Sequence, residues 1–291
     1  MRRPSAVLLV VCSGWGTIGL VVRALDLPAV AITSARVWVG AVGLGLVIRM
    51  TRGRRVGPRL FSYRPGRVVL TGAILAVHWL SFVAALQRAP IGTVVLIVFL
   101  GPIGVAVAAP RVLGERSSPR TLGALTLAVA GFALVAVPDV RSAGLIGPGL
   151  ALLAAALFVA LVLASKPLAA VYGGLRLAFL ELSVASAVLL PVGLSADWGS
   201  PRLDWLWLLV LGLVHTALGV SLYLAALARV PVVHAGILGY LEPVGAVVCG
   251  WLFLHEQPGP ATVGGAIMIV AGGLMVLRAN VAPPEVIGVP G

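Results

Sequence analysis

Long apolar runs alternate with short polar segments along the whole chain. The runs lack the every-second-residue alternation of a membrane β-strand, and they approach the roughly 20 residues that a helix needs to cross a bilayer. We therefore predict an all-α integral membrane protein with ten transmembrane helices. The predicted spans are 5–22, 30–48, 68–87, 91–109, 120–137, 145–165, 176–194, 205–228, 232–254 and 260–277.

Composition agrees with lipid as the solvent. The 291-residue chain is 60% hydrophobic and 10% charged, and its mean hydropathy is +1.11. Soluble domains carry about 25% charged residues, and no stretch of this chain is long and polar enough to form one. The apolar stretch after Arg2 and Arg3 is interpreted as the first span, because no small-residue cleavage site follows it.

Lys and Arg concentrate on alternate loops. With the N-terminus in the cytoplasm, 16 of the 21 Lys and Arg residues fall on the cytoplasmic side, 4 fall outside, and Arg36 lies within a span. Short cytoplasmic loops carry such an excess. We predict a multi-pass protein of the cell (inner) membrane with both termini cytoplasmic. The arginine-rich loop 49–67 fits an anionic membrane surface, and we expect no nucleic-acid partner.

An internal repeat divides the chain. Residues 84–135 and 225–276 align without a gap at a shift of 141, and 18 of the 52 positions are identical. The identical pairs include Pro102 with Pro243, Gly104 with Gly245, Glu115 with Glu256, Gly123 with Gly264 and Gly131 with Gly272. Composition bias would not align prolines, a glutamate and glycines together.

Two repeats follow from this alignment. We predict a first repeat over 1–138 with spans 1–5, a second over 143–279 with spans 6–10, and a short tail over 280–291. An odd number of spans per unit makes the two units inverted. Inverted repeats are typical of secondary transporters, whose binding site lies near the midplane between the halves.

The repeated motif also carries a resemblance. It consists of an aromatic residue before Ala-Leu, a proline, a mid-span proline, a glutamate and a glycine-bearing helix. In the first unit these are Phe82 to Leu86, Pro90, Pro102, Gly114-Glu115 and Gly123; in the second they are Tyr223 to Leu227, Pro231, Glu242-Pro243, Glu256 and Gly264. With Gly14-Trp15-Gly16 and Arg36, this pattern resembles the drug/metabolite transporter superfamily, built from two EamA-type units.

The resemblance covers nearly the whole chain, with two departures. Leu157-Phe158 stands where the second unit of the pattern has Trp-Gly, and Gly101 precedes Pro102 where the pattern has Glu. The run from Phe99 to Ala108 and the run through Glu242 are similar to the threonine/homoserine exporter branch. This resemblance implies export of an amino acid or related metabolite, driven by protons. Uptake of another small metabolite is the alternative.

Two histidines lie deep in predicted spans. His78 is near the middle of the third span and His215 near the middle of the eighth. Ionisable groups at this depth usually face the bundle interior or a wet cavity, and histidine changes charge near neutral pH. Both are candidates for proton coupling and substrate binding. A neutral histidine bonded to a neighbouring helix is the structural alternative for each.

Aromatic residues share faces with these histidines. Phe82 follows His78 by one helical turn, and Tyr223 follows His215 by eight residues. Trp15 and Tyr240 complete the candidate aromatic walls of a cavity for a small amphipathic solute. Packing between helices or against lipid is the alternative.

The ninth span contains Glu242 beside Pro243. A carboxylate at a kinked backbone is a candidate for binding a proton or an amine, and repair of broken helix hydrogen bonds is its structural alternative. Pro102 and Pro243 are expected to kink their helices and are candidate hinges.

Three further charged residues lie in or next to the predicted spans, and two of them, Arg36 and Glu181, have two explanations each. Arg36 is a candidate for bidentate binding of a substrate carboxylate, or it snorkels to the interface. Glu181 either pairs with a charge or satisfies the interface. Glu115 is expected to cap the helix that follows it.

Other function classes find little support. The sequence has no Walker, paired-cysteine, His-Glu-x-x-His or Gly-x-Ser-x-Gly motif. We expect no enzyme activity, no cofactor and no metal, and the partners are a small-molecule substrate, protons and lipid. The oligomeric state is not predicted. A membrane scaffold, lipid-binding protein or membrane enzyme is the alternative of a different class, but none explains central histidines with mid-span prolines in both halves.

Overall fold

A computed structural model describes residues 2–23, 25–51, 62–89, 91–136, 144–199, 204–254 and 257–278. The predicted tail 280–291, most of the loop 49–67, Pro90 and Glu256 lie outside these residues. In the first half, the helices are α1 Arg2–Trp15, α2 Ile18–Arg23, α3 Ala29–Thr51, α4 Pro65–Leu86, α5 Ile91–Val98, α6 Gly101–Val112 and α7 Pro119–Ala136.

The second half has the same kind of organisation. Its elements are α8 Ile146–Tyr172, α9 Gly174–Leu194, α10 Asp204–Val210, a π-helical segment Leu211–Leu218, α11 Gly219–Leu227, α12 Val232–Gly239, α13 Leu241–Leu254 and α14 Pro260–Arg278. All regular elements of the described residues are therefore helical, as predicted. Helix α8 runs seven residues beyond the predicted span 145–165, through Pro167, so that boundary was wrong.

The helices suit a bilayer. Seven helical segments are long and apolar enough to cross it: α3, α4, α8, α9, Trp205–Leu227, Val232–Phe253 and α14. A shorter apolar stretch, Pro119–Leu134, lies in α7. Large apolar side chains such as Leu46, Leu122 and Ile267 remain exposed on the outer faces of the bundle. Helices satisfy their backbone groups internally, which lipid cannot do for them.

Two of the predicted spans are broken close to a proline. The run 91–109 breaks between α5 and α6 at Phe99 and Leu100, and the run 232–254 breaks between α12 and α13 at Tyr240. Proline offers no N–H to the carbonyl four residues earlier and its ring clashes with that turn. The breaks therefore precede Pro102 and Pro243 by two or three residues.

The predicted span 5–22 is also broken. Helix α1 ends at Trp15, and α2 begins at Ile18 after a turn in which Gly16 N–H donates to the Ser13 carbonyl oxygen at 3.1 Å. Gly16 lies against α13: a Cβ there would be 2.6 Å from the Glu242 carbonyl oxygen. Only glycine permits this approach, so the break and the α1–α13 contact depend on the same residue.

The last helices of the two halves cross each other through glycines. A Cβ on Gly131 of α7 would lie 2.5 Å from the Gly265 carbonyl oxygen of α14, and one on Gly272 would lie 2.8 Å from the Ala124 carbonyl oxygen. The crossing is antiparallel, because the later residue of each helix meets the earlier residue of the other. These two glycines permit close helix contact. Gly123 and Gly264 do not contribute to it, since an added Cβ at either position meets nothing within 4 Å.

Helices α3 and α9, the second long helix of each half, also pack antiparallel. Gly45 near the end of α3 faces Phe179 near the start of α9, and Gly193 near the end of α9 faces Ser34 near the start of α3. The Trp38 indole N–H donates to the Ser186 carbonyl oxygen at 3.3 Å between these two contacts. Corresponding helices of the two halves thus run in opposite directions where they meet.

A charged pair joins helix α8 to the α6–α7 and α11–α12 connections. Lys166 Nζ lies 2.6 Å from Glu115 Oε1, with side chains 8% and 15% exposed, and it also donates to the Val230 carbonyl oxygen. Glu115 Oε2 accepts the Val232 N–H at 2.7 Å. Glu115 therefore caps α12 in the other half. The prediction that it caps the following helix is wrong: Ser118 Oγ caps α7, accepting the Thr121 N–H at 3.1 Å.

Candidate functional site: a central cavity between the two halves

A cavity of about 160 Å³ lies in the middle of the bundle, between helices of both halves. Its walls come from α1 to α6 on one side and from α8, α9, α11, α12 and α13 on the other. Six of the eight predicted substrate-binding residues line it: Trp15, Arg36, His78, Phe82, Tyr223 and Glu242. Pro102, one of the two predicted hinges, lines it as well.

Arg36 is the cation of the cavity. It is 4% exposed, its Nε donates to Thr216 Oγ1 at 3.1 Å, and its Cζ lies 3.9 Å from the centroid of the Trp79 ring. Burial, a hydrogen bond and a cation–π contact hold the guanidinium in the interior. The snorkelling alternative is therefore wrong for this residue.

The partner of Arg36 depends on the π-helical segment Leu211–Leu218. Thr216 Oγ1 donates to the Leu211 carbonyl oxygen five residues earlier, at 2.8 Å, and accepts from Arg36. A π-helix widens the turn and is frequent at functional sites. The apolar sequence predicted a helix here but contained no signal for its π form.

Glu242 begins the second half of a broken helix. It is the second residue of α13, directly after the break at Tyr240, and its side chain lines the same cavity as Arg36. The break places a carboxyl group near the middle of the bundle at the start of a helix. Helix N-termini favour negative charge. Pro243 lies next to it and is not part of the cavity lining.

His78 faces the other half of the molecule. Its Nδ1 lies 2.8 Å from the Ala154 carbonyl oxygen on α8, and its ring centroid lies 5.9 Å from that of Phe158. A carbonyl oxygen can only accept, so Nδ1 carries the hydrogen. The other ring nitrogen, Nε2, is the atom of His78 that remains a candidate for proton exchange or solute binding.

The aromatic wall opposite His78 belongs to α1 and α11. The Trp15 indole N–H donates to the His215 carbonyl oxygen at 2.9 Å, and the Trp15 and Tyr223 ring centroids are 5.4 Å apart. Both rings are thereby fixed at the cavity.

Two predicted residues lie outside the cavity lining. His215 Nε2 is 2.6 Å from Thr17 Oγ1 at the break between α1 and α2. Its ring therefore contacts this break and does not line the cavity. Tyr240 is fully buried, and its hydroxyl donates to the Phe99 carbonyl oxygen at 2.8 Å. Phe99 and Tyr240 are separated by the repeat shift of 141, so this bond joins the two helix breaks.

Sequence reasoning missed several cavity residues. Trp79, Phe158 and Cys12 line the cavity but belong to apolar runs in which their depth and face carried no separate signal. Glu181 was predicted only to pair with a charge or to satisfy the interface, and not to line a cavity. It is 2% exposed, lines the cavity and accepts a hydrogen bond from Ser165 Oγ at 2.6 Å. A charge within an apolar span was the available signal for it.

The cavity combines opposite charges with apolar walls. One guanidinium and two carboxyl groups, from Arg36, Glu181 and Glu242, face a small volume bounded by aromatic rings. Drug-sized ligands occupy pockets of about 300–1,000 Å³, so this cavity suits a smaller solute with charged groups. The described residues include no cluster of three or more His, Cys, Asp or Glu residues that could hold a metal ion.

The architecture defines the class of protein. A bundle of membrane-crossing helices, with helices broken beside a central charged cavity, is typical of secondary transporters. The chain belongs to the EamA-like transporter family, which matches residues 4–137 and again residues 145–278. The resemblance to this family is thereby confirmed, and the protein is a multi-pass membrane transporter.

Relatives in other organisms carry related descriptions. An uncharacterized transporter of Archaeoglobus fulgidus is 29% identical over 96% of this chain and 97% of its own. A probable terminal-alkyne amino-acid exporter of Streptantibioticus cattleyicolor is 26% identical over 96% of this chain and 90% of its own. The threonine/homoserine exporter RhtA of Escherichia coli K12 is 30% identical over 68% of this chain and 67% of its own.

The fold also occurs among solved structures. One protein of known crystal structure superposes with a TM-score of 0.79 and 21% identity, over 95% of this chain and 98% of its own. This likeness shows that the two proteins share a fold over nearly their full lengths.

Proposed function

We propose that this protein exports amino acids or closely related small metabolites by alternating access, in exchange for protons. The observation that carries the proposal is the pairing of Arg36 with Glu242 across one small cavity at the middle of the bundle. An α-amino acid has a carboxylate and an ammonium group a few ångströms apart. The guanidinium is suited to the carboxylate, and the carboxyl group is suited to the ammonium.

The proposed architecture has ten crossings in two inverted repeats, 1–138 and 143–279. The broken pairs α1–α2 and α5–α6 supply the two crossings beyond the eight apolar segments. Inversion is supported by the antiparallel contacts of corresponding helices, α7 with α14 and α3 with α9. Two related halves in opposite orientations offer two related conformations, one open to each side of the membrane.

Proton coupling is assigned to the carboxyl group of Glu242 and the imidazole of His78, with His215 as a further candidate. Glu242 without its proton binds the substrate ammonium group while the cavity faces the cytoplasm. Protonation from the outer side then neutralises the carboxylate and releases the substrate. Competition between the proton and the ammonium group for Glu242 thus couples substrate release to proton entry.

Pro102 and Pro243 are proposed hinges. They follow the two helix breaks that the Tyr240–Phe99 hydrogen bond joins, so the breaks of the two halves would move together. Residues that end or begin helices commonly absorb such motions.

Location and direction complete the proposal. The excess of Lys and Arg on alternate loops supports both termini in the cytoplasm of the cell (inner) membrane. The exporters among the relatives favour efflux. Uptake of another small metabolite is the second candidate, because alternating access is compatible with either direction.

Transport by purified protein in proteoliposomes tests the proposal. A panel of labelled amino acids is offered with and without an imposed pH gradient, and we expect movement of at least one that accelerates with the gradient. A transport rate that does not depend on the pH gradient would exclude proton antiport. No movement of any amino acid would favour the uptake of another solute or the scaffold function.

Variants then test the assigned residues. His78→Ala and Glu242→Gln are expected to impair transport while leaving expression intact. His234→Ala is the matched control, because His234 is a buried histidine that contacts Thr121 and does not line the cavity. Normal turnover of both cavity variants would remove these residues from the mechanism.

A further inference from the structure

The two halves of the cavity differ by an exchange of large and small residues. Gly16 of α1 packs against the backbone of Glu242, where an added Cβ would be 2.6 Å from the carbonyl oxygen. In the other half, Phe158 of α8 packs against Gly101 of α6, where an added Cβ would be 2.8 Å from Phe158 Cδ1. Gly101 is the counterpart of Glu242 at the shift of 141, and Phe158 follows the counterpart of Gly16 by one residue. A glycine meets the backbone at a glutamate in one half, and a phenylalanine ring meets a glycine in the other.

This exchange accounts for both departures from the family pattern. Phe158 stands where the pattern has glycine, and Gly101 stands where it has glutamate. Each departure alone would leave either a clash or a gap, since a Cβ at Gly101 would overlap the Phe158 ring. Together they place an aromatic ring at the position where the symmetric site would have a second carboxyl group.

The neighbouring position shows the same asymmetry. Trp15 covers Gly219, where an added Cβ would be 2.7 Å from the indole nitrogen. The repeat shift of 141 relates Gly219 to His78, whose ring lies 5.9 Å from that of Phe158. The cavity is therefore lined by the charged groups of Arg36 and Glu242 and, in the other half, by the Phe158 ring beside His78.

We propose that Phe158, seated on Gly101, is a specificity-determining residue that limits the size of the substrate side chain. This inference rests on the proposed function. With the carboxylate and the ammonium group held by Arg36 and Glu242, the side chain of an amino acid extends into the remaining volume of the cavity, which the Phe158 ring bounds. Phe158 lines the cavity, and its ring occupies the space into which a longer side chain would extend.

The test compares wild type with Phe158→Ala in proteoliposomes. Unlabelled amino acids of increasing side-chain size compete with a labelled small amino acid, and the half-inhibiting concentration is measured for each. A pocket that gains the volume of a ring should improve binding of the largest competitors relative to the smallest by about tenfold or more, since one methylene alone is worth 10- to 200-fold. Phe158→Leu is expected to fall between the two proteins.

Phe179→Ala is the matched control. Phe179 also packs against a glycine, with its Cε2 3.2 Å from the Cβ position of Gly45, but it does not line the cavity. Its removal is expected to leave the size profile unchanged. An unchanged profile in Phe158→Ala, or an equal shift in Phe179→Ala, would overturn the inference while transport by the wild type stands. If Phe158→Ala does not fold, an unchanged profile in Phe158→Leu overturns it as well. Wild-type protein that moves no amino acid would defeat the proposed function, and this inference with it.

Discussion

At the residue scale, the position of Arg36 follows from what surrounds it. A guanidinium keeps its charge in the interior only if its donors find acceptors and its face finds a ring. Thr216 supplies an acceptor and Trp79 supplies the ring. These contacts use Nε and one face of the guanidinium, and in the proposed function the terminal nitrogens bind the substrate carboxylate.

Arg36→Lys tests this division of contacts. A lysine keeps the charge but has no planar fork and no Nε for Thr216. Hydrogen bonds to charged groups contribute about 1.5–3 kcal/mol each, so KM for a substrate with a free carboxylate should rise by roughly 10- to 100-fold. For amino-acid amides, which lack the carboxylate, KM should differ little between the wild type and Arg36→Lys.

Arg49→Lys is the control for this substitution, because Arg49 lies exposed on the same helix. It should leave KM unchanged. An Arg36→Lys protein with wild-type KM would show that Arg36 has a structural role only.

At the element scale, Glu115 and Lys166 connect helices through charge and through backbone polarity. Lys166 donates to a carbonyl oxygen, and Glu115 accepts from an N–H at the start of α12. Exchanging the two residues preserves the ion pair but directs an anion at the carbonyl and a cation at the N–H. The double variant Glu115→Lys with Lys166→Glu should therefore not recover the stability that either single substitution loses.

Thermal unfolding in detergent measures the stability of the single variants and of the exchanged pair. Breaking a buried pair costs about 3–5 kcal/mol, and the partial exposure of both side chains places the expected loss at the lower end. Glu115→Gln with Lys166→Met, which removes both charges, should be more stable than the exchanged pair. Full recovery by the exchanged pair would show that the backbone contacts contribute nothing.

The sequence predicted the long helices well because lipid imposes their length and apolar character. It did not predict the break at Gly16, because glycine is common in membrane helices and only the partner helix α13 makes this one necessary. The π form at Thr216 was equally hidden, since the apolar sequence contained no local signal for it. Pro102 and Pro243 did predict the other two breaks, because the lost N–H is a local property.

Candidate site residues were predictable where a charge or histidine stands in an apolar run. Arg36, His78 and Glu242 were found by this signal, and all three line one cavity. Trp79 and Phe158 were not, because an aromatic ring facing lipid and one facing a cavity look alike in a single sequence. The contacts of Gly16 with Glu242 and of Phe158 with Gly101 became recognisable only in the three-dimensional structure, because each joins helices that are far apart in the sequence.

At the scale of the whole molecule, the crossing of α7 and α14 joins the two halves through backbone contact. Gly131→Ala and Gly272→Ala would place a Cβ 2.5 Å and 2.8 Å from a carbonyl oxygen of the other helix. Overpacking costs about 1–3 kcal/mol, so each variant should unfold at lower temperature in detergent.

Gly123→Ala and Gly264→Ala are controls on the same two helices, with no neighbour within 4 Å of the added Cβ. They should be neutral or slightly stabilising, since alanine has the higher helix propensity. Equal effects in all four variants would mean that the crossing does not depend on close approach.

Opposite orientation of the halves can be tested with their own repeated residues. Arg88 and Arg229 are counterparts at the shift of 141, and both side chains are exposed. Arg88→Cys and Arg229→Cys are made separately, with Cys12 and Cys249 replaced by serine. A membrane-impermeant maleimide applied to intact cells should label position 88, whereas position 229 should react only after the membrane is permeabilised. Labelling of both from the same side would require the halves to be parallel. Two parallel halves would not exchange conformations by symmetry, and the alternating-access proposal would then lose its structural basis.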